Sequence, residues 1–184
     1  IQAKKVSKYL KEINFNKAFS SSMKRPYETA EIILQKRSGL KITKIDELIE
    51  ISHGLWEGKL ENEIKEKWPE LLNNWHNKPE EVVMPEGESI KEVSERSIKA
   101  WDNISLIQSD NDLTLLVAHD AVNKTIICNI LGIDYSNIWM IKQGNGGITV
   151  IDIFNDPQKD DVISALNITT HLGGILDSTA SGAL

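Results

Sequence analysis

Apolar positions along the chain fall into two recurring patterns, segments with helical spacing and short, nearly continuous apolar runs, and the two alternate. Ala3, Val6, Leu10 and Ile13 recur at helical spacing, so the first dozen residues read as an amphipathic helix. "KAFSSS" reads as a short strand ending in serines. A helix is expected over "MKRPYETAEIILQKRSG", where Ser22 is placed to cap, Pro26 suits a first turn and Gly39 marks the end. "LKITKIDELIEI" reads as an edge strand and its exit loop. From Leu60 onward, Ile64, Trp68, Leu71, Leu72 and Trp75 define a second helical region that Pro69 breaks or kinks, expected to be an excursion covering a pocket.

The clearest start signal is Ser89 with Glu92 three residues on, a capping box that opens a long helix. Ile90, Val93, Trp101 and Ile104 share one face of it, leaving Glu95 and Lys99 to water. "LTLLVA" is almost wholly apolar, as expected of a central strand covered by helices on both faces. The helix "AVNKTIICNIL" stops at Gly132, and "GGITVIDIFN" reads as the last strand. This alternation predicts an α/β fold, a three-layer α/β/α sandwich around a mostly parallel sheet. Beyond Asp156 the periodicity fades into the small, polar, glycine-rich "TTHLGGILDSTASGAL". The expected division is therefore a domain over 1–155 and a tail or linker over 156–184, where a second domain could attach.

Composition narrows the class of function. A chain of 184 residues with 40% hydrophobic residues suffices for one good core. A net charge of -6 opposes general binding to nucleic acid or anionic membranes, because phosphates repel such a surface; a local basic pocket stays compatible with it. Cys128 is the only cysteine, which excludes an internal disulfide or thiolate zinc cluster and fits a reducing, cytoplasmic setting. No apolar stretch approaches the roughly 20 residues of a membrane helix, and no signal-peptide pattern opens the chain. Ile1 already lies inside a helical pattern, so the chain is expected to be a fragment.

Three polar residues sit where α/β proteins expose reactive groups. The apolar run "LTLLVA" stops on His119 and Asp120, at the carboxyl end of a strand, where such sheets open onto a crevice. Arg25 lies at the opening of a helix just after a strand, where backbone N–H groups and the helix dipole favour an anion. Glu50, polar between apolar neighbours, becomes a proton donor if burial raises its pKa. Each also has a bland reading: a solvated arginine, an edge carboxylate and a structural histidine. Ser22 and Asn123 suit a phosphate pocket as well as capping and helix-surface roles. Trp56, Trp68, Trp75 and Trp101 are assigned to packing, and Cys128 to an inert apolar face.

The runs "FSSSMKRPYETAEII", "EISHGLWEG", "PEGES" and "LLVAHDAVNKTIICNILG", in that order and spacing, resemble the histidine phosphatase superfamily, the phosphoglycerate-mutase-like proteins. The resemblance spans Ile1 to Phe154 and implies the same three-layer sandwich. It also implies a nucleophilic histidine in an Arg-His-Gly motif after a first, central strand. No Arg-His-Gly occurs in this sequence, so the sandwich is expected to lack its first strand and the nucleophile to lie outside the chain. Residue by residue, Arg25 matches the arginine that clamps the phosphoryl oxygens, His119 the second histidine of the pocket and Glu50 the carboxyl proton donor. Asp120 stands where most of the superfamily has glycine, which places a negative group beside the phosphate and bears on substrate choice.

The function implied is hydrolysis of a small sugar or sugar-acid phosphate through a phosphohistidine intermediate, with no cofactor and no metal. "EISHGLWEG" is similar to the phosphatase-type branch and lacks the Glu-Arg-x-Tyr-Gly form of cofactor-dependent mutases. "AHDAVNK" and "ALNITTHLGG" are similar to a subgroup that includes 2-carboxy-D-arabinitol-1-phosphatase. Three alternatives stand beside this: a phosphoglycerate mutase, a non-catalytic module binding phosphate esters or a partner, and an HD-type metallophosphohydrolase using His119 and Asp120. The last needs further histidine ligands, and only His53, His76 and His171 are available, read as loop, helix-end and tail residues.

Overall fold

In a computed structural model, described for residues 1–173 apart from 36, 38, 155 and 157, strands and helices alternate as the periodicity predicts. Helix α1 (Gln2–Tyr9) leads into strand β1 (Lys17–Ser21), helix α2 (Lys24–Leu34) and strand β2 (Ile42–Ile45). The excursion follows as α3 (Glu61–Lys67) and α4 (Pro69–Asn77), and the long helix as α5 (Ile90–Leu106). Strand β3 (Thr114–Val117), helix α6 (Asp120–Leu131) and strands β4 (Ile148–Asp152) and β5 (Val162–Ile168) complete the order.

Strands β2, β1 and β3 form one parallel sheet in that order, with Ala18 paired to Ile42 and Leu115, and Ser20 to Lys44 and Val117. Successive side chains of a strand point to opposite faces. Ala18 and Leu115 thus pack with Val6, Ala30, Ile33 and Leu34 from α1 and α2, whereas Phe19 and Leu116 join Val93, Trp101, Val122 and Ile126 from α5 and α6. Two helical layers enclose the sheet, which is the predicted sandwich. β4 and β5 pair antiparallel as a separate ladder.

The structure departs from the sequence expectations at four points. β1, not "LTLLVA", is the central strand of the three, because it alone hydrogen-bonds on both edges; among the described residues the outer edge of β3 carries no strand. α2 stops at Leu34, short of Gly39, and its N-cap is Met23, with no cap bond from Ser22. Residues 162–168, expected in the tail, form β5, and alternate exposed and half-buried residues explain why their apolar signal is faint. His171 likewise lies in a turn at Thr170–Leu172, stacked on Tyr9 and hydrogen-bonded to the Gly146 carbonyl. The end of the expected tail, from residue 174, lies outside the described residues.

Other local signals match. Ser89 Oγ accepts from the Glu92 amide while the Glu92 carboxylate accepts from the Ser89 amide, closing the capping box. Pro69 sits at the first position of α4, so the polypeptide turns at Trp68 instead of continuing α3. All four tryptophans assigned to packing join the large core, with Trp75 edge-on to both Trp56 and Trp139.

Two backbones approach so closely that glycine is required. A Cβ on Gly87 would lie 2.5 Å from the Ser52 carbonyl oxygen, and one on Gly54 would lie 2.1 Å from that of Pro85. The loops "ISHGLWEG" and "PEGES" therefore dock main chain to main chain, with the Leu55 and Glu88 amides donating to the Pro85 and Ser52 carbonyls. Gly87→Ala forces rigid backbone apart and is expected to cost about 1–3 kcal/mol, the range for overpacking. The check is a lower urea midpoint at unchanged slope; an unaltered midpoint would mean that the loops are not in contact.

Candidate active site

Parallel strands deliver their following loops to one edge, so the exits of β1, β2 and β3 meet. His119 follows β3 and precedes α6, Arg25 lies in the first turn of α2, and Glu50 follows β2 and a short turn at Asp46–Leu48. The structure brings these three together from positions up to 94 residues apart. Arg25 NH2 lies 3.3 Å from His119 Nδ1, His119 Nε2 lies 3.0 Å from Ser21 Oγ, and Glu50 Oε2 lies 3.8 Å from His119 Nδ1.

A guanidinium has only donors, so Nδ1 facing Arg25 is the bare acceptor nitrogen and Nε2–H donates to Ser21. The imidazole is then neutral, and its approach to Glu50 is no ion pair. Electrostatics agree: burial disfavours the cation, and the Arg25 and Arg96 charges add to this, depressing His119 to about 4. Glu50 moves the other way. Burial raises its pKa and the Asp120 carboxylate raises it further, against the opposing pull of the Ile51 amide and Arg25. The cluster thus holds a fixed positive arginine, a neutral imidazole and a carboxyl biased towards protonation.

The remaining predicted residues are less central. Asp120 opens α6 and pairs with the buried Lys124 at 2.9 Å, one helical turn on, while Lys124 also faces the Trp139 ring. Asn123 is half-buried in the first turn of α6, and its amide donates to the His119 carbonyl. No hydrogen bond joins the Ser22 side chain to the cluster; the serine that touches His119 is Ser21, fully buried one residue earlier. Strand alternation is the signal that separates the two. Cys128 is buried, and burial pushes its thiol up to about 11.

A second unit was not singled out from the sequence. Arg96 of α5 forms a bidentate pair with Glu88, with Nε at 2.8 Å and NH2 at 3.0 Å from its two oxygens. The same guanidinium donates to the carbonyls of Glu47, Ile49 and Glu50. The only sequence signal was that Glu88 of "PEGES" stands eight residues before this arginine, in the loop that leads into its helix. Among the described residues, no three His, Cys, Asp or Glu side chains gather as a metal site. Asp120, required as a ligand by the HD-type reading, is engaged with Lys124.

The family model of the histidine phosphatase superfamily (branch 1) matches residues 1–164. The chain belongs to this superfamily. Phosphoserine phosphatase 1 of Hydrogenobacter thermophilus is 34% identical over 172 residues, which cover 94% of this chain and 79% of that protein. A probable 2-carboxy-D-arabinitol-1-phosphatase of Arabidopsis thaliana is 31% identical over 80% of this chain, but the chain spans only 30% of that longer protein. Among solved structures, Bacillus stearothermophilus YhfR superposes with a TM-score of 0.85 at 23% identity, covering 93% of this chain and 83% of that one. That likeness establishes the phosphoglycerate-mutase-like fold.

The depressed His119 makes acid stability a test of the cluster. Its folded pKa of about 4 lies below the ordinary 6.5, so between these values the unfolded chain binds the proton first. This group's stabilising contribution is complete above about pH 6.5 and is lost as the pH falls towards about 4. Glu50, raised above its ordinary 4.5, acts oppositely from that value upward. A histidine-ring NMR titration should show His119 still neutral at pH 5, and Arg25→Met should move its midpoint upward. An ordinary His119 midpoint in the unaltered protein would contradict the buried contact with Arg25.

Proposed function

We propose that this protein hydrolyses phosphomonoesters of small phosphorylated carboxylic acids, such as sugar-acid phosphates, through a phosphohistidine intermediate. The convergence of Arg25, Glu50 and His119 at the strand exits, in a chain of this superfamily, is the observation that carries the reading. The nucleophilic histidine is assigned to polypeptide upstream of Ile1, since the sequence contains no Arg-His-Gly. The outer edge of β3, which pairs with no strand among the described residues, lies beside His119, and a further strand there would bring a second histidine to the cluster.

Phosphoryl transfer depends mainly on positioning and on neutralising charge at the equatorial oxygens. Arg25 supplies a fixed bidentate donor. His119 is neutral beside Arg25 alone, but an arriving phosphate dianion favours its protonated form, which then donates to the phosphoryl oxygens. Glu50, whose pKa burial raises, gives its proton to the leaving alkoxide as the phosphorus–oxygen bond breaks and phosphorus bonds to the histidine nitrogen. In the second step the Glu50 carboxylate takes a proton from water, whose oxygen attacks phosphorus and releases the histidine. Asp120 supports this cycle by raising Glu50 and screens substrates by adding a negative group near the phosphate. No step calls on a metal or cofactor.

The substrate class draws on the relatives' names, since phosphoserine and 2-carboxy-D-arabinitol 1-phosphate are both phosphate esters of small carboxylic acids. Water is proposed as the acceptor, as in a phosphatase, because "EISHGLWEG" lacks the mutase-type tyrosine form. The test is phosphate release from such esters by the protein extended upstream of Ile1. Activity should be blocked by vanadate and unaffected by chelators, and acid quenching should trap an acid-labile phosphoenzyme. Glu50→Gln should lower kcat by roughly 10²–10⁴-fold, the usual worth of a general acid. Inactivity of the extended protein with retained phosphate binding would overturn catalysis in favour of a phosphate-binding module.

A further inference from the structure

Glu50 sits on a stretch of main chain that no strand holds. β2 ends at Ile45, the turn at Asp46–Leu48 follows, and residues 49–53 run without regular structure. A carboxyl that must point at Arg25 and His119 needs its backbone fixed, because misplacement by about 1 Å can cost on the order of 10²-fold in rate. What fixes it is a side chain. Arg96 reaches across from α5 and spends every donor it has: Nε–H on Glu88 Oε1, the two NH1 hydrogens on the Glu47 and Ile49 carbonyls, and the two NH2 hydrogens on Glu88 Oε2 and the Glu50 carbonyl. A guanidinium has five N–H donors, and all five are matched here.

Glu88 completes the frame. Its carboxylate, held in the fork of Arg96, accepts the Ser52 amide at 2.9 Å, and its own amide donates to the Ser52 carbonyl at 2.9 Å. Glu50 thus lies between two anchored points, its own carbonyl on Arg96 and Ser52 on Glu88. The Ile51 amide between them donates to Glu50 Oε1 at 3.1 Å, so the carboxyl orientation is coupled to this backbone. Both partners of the pair are largely covered, with side chains 18% and 24% exposed, which makes the bidentate pair more than a screened surface contact.

We propose that Arg96, oriented by Glu88, is a positioning residue that holds the 47–52 segment so that the Glu50 carboxyl faces the phosphoryl site. This rests on the proposed phosphatase reading for its catalytic consequence, although the clamp itself is independent of it. Lysine cannot replace this arginine, since three donors on a single nitrogen cannot span two carboxylate oxygens and three carbonyls. The role is distinct from general stability because it concerns the proton transfers at Glu50, and only the first of them depends on the leaving group. A displaced Glu50 slows phosphoenzyme formation from substrates with a poor alkoxide leaving group and spares that step where the leaving group departs without a proton.

The experiment compares Arg96→Lys and Glu88→Gln with the unaltered protein, extended upstream of Ile1, on phosphoserine and on p-nitrophenyl phosphate. Both variants should lose tenfold or more in kcat/KM on phosphoserine and less than about threefold in kcat/KM on p-nitrophenyl phosphate, because kcat/KM reports phosphoenzyme formation and not the water attack that both substrates share. Equal losses in kcat/KM on both substrates, or no loss, would overturn the proposal. A second readout does not require turnover: hydrogen exchange at the Ser52 amide and the pH titration of the Ile51 amide shift. Arg96→Lys should speed Ser52 exchange at least tenfold and change the midpoint at which Ile51 reports Glu50; unchanged values would refute the clamp. If the unaltered protein is inactive on both esters, the phosphatase reading fails, and the amide measurements alone decide the clamp.

Discussion

Everything at the site depends on three strands running in the same direction. Because β2, β1 and β3 are parallel and in register, their carboxyl ends at Ile45, Ser21 and Val117 lie side by side, and the segments that follow must all leave from one edge. Arg25, Glu50 and His119 are therefore neighbours as a result of strand direction and not of sequence proximity. An antiparallel β1 would send Ser21 and the start of α2 to the opposite edge. The helical layers make this arrangement stable. Alternation along β1 sends Ala18 to one face and Phe19 to the other, and each meets a separate apolar cluster.

The same burial that stabilises the sheet sets the chemistry of the cluster. His119 is only 4% exposed, and two nearby guanidinium groups make its cationic form unfavourable until an anion arrives. Glu50 is biased in the opposite sense by burial and by Asp120. Two titratable groups within 4 Å are thus shifted in opposite directions from their ordinary values, the histidine down and the carboxyl up, which suits a site that must both hold an anion and donate a proton. Ser21 fixes the imidazole tautomer from beneath, as an orienting group for a ring whose other nitrogen faces Arg25.

Two glycines explain how a loop can carry such a precise group. Gly54 and Gly87 let the Glu50 loop and the loop before α5 touch backbone to backbone, so that Ser52 and Glu88 exchange hydrogen bonds. The capping box at Ser89 begins α5 immediately after this contact, and Arg96 projects back from two turns further on. One short stretch, residues 87–96, thereby serves as close-packing point, helix start and anchor for the opposite loop.

The sequence by itself determined what is local. Helical spacing in α1, α4 and α5, the Ser89–Glu92 box, the break at Pro69 and the stop at Gly132 all act within a few residues, so they were legible as written. The order of four motifs likewise carried the superfamily, and with it Arg25, Glu50 and His119 as candidates. Tertiary structure alone decided what depends on residues distant in the chain: that β1 is flanked on both edges, that Ser21 in place of Ser22 meets His119, and that β5 exists beyond the faded periodicity. It alone decided that Arg96 gives all its donors to segments 8 to 49 residues away. The physical reason is the same in each case: hydrogen-bond partners and burial are set by where the fold brings separate segments together, and residue type alone does not encode that distance.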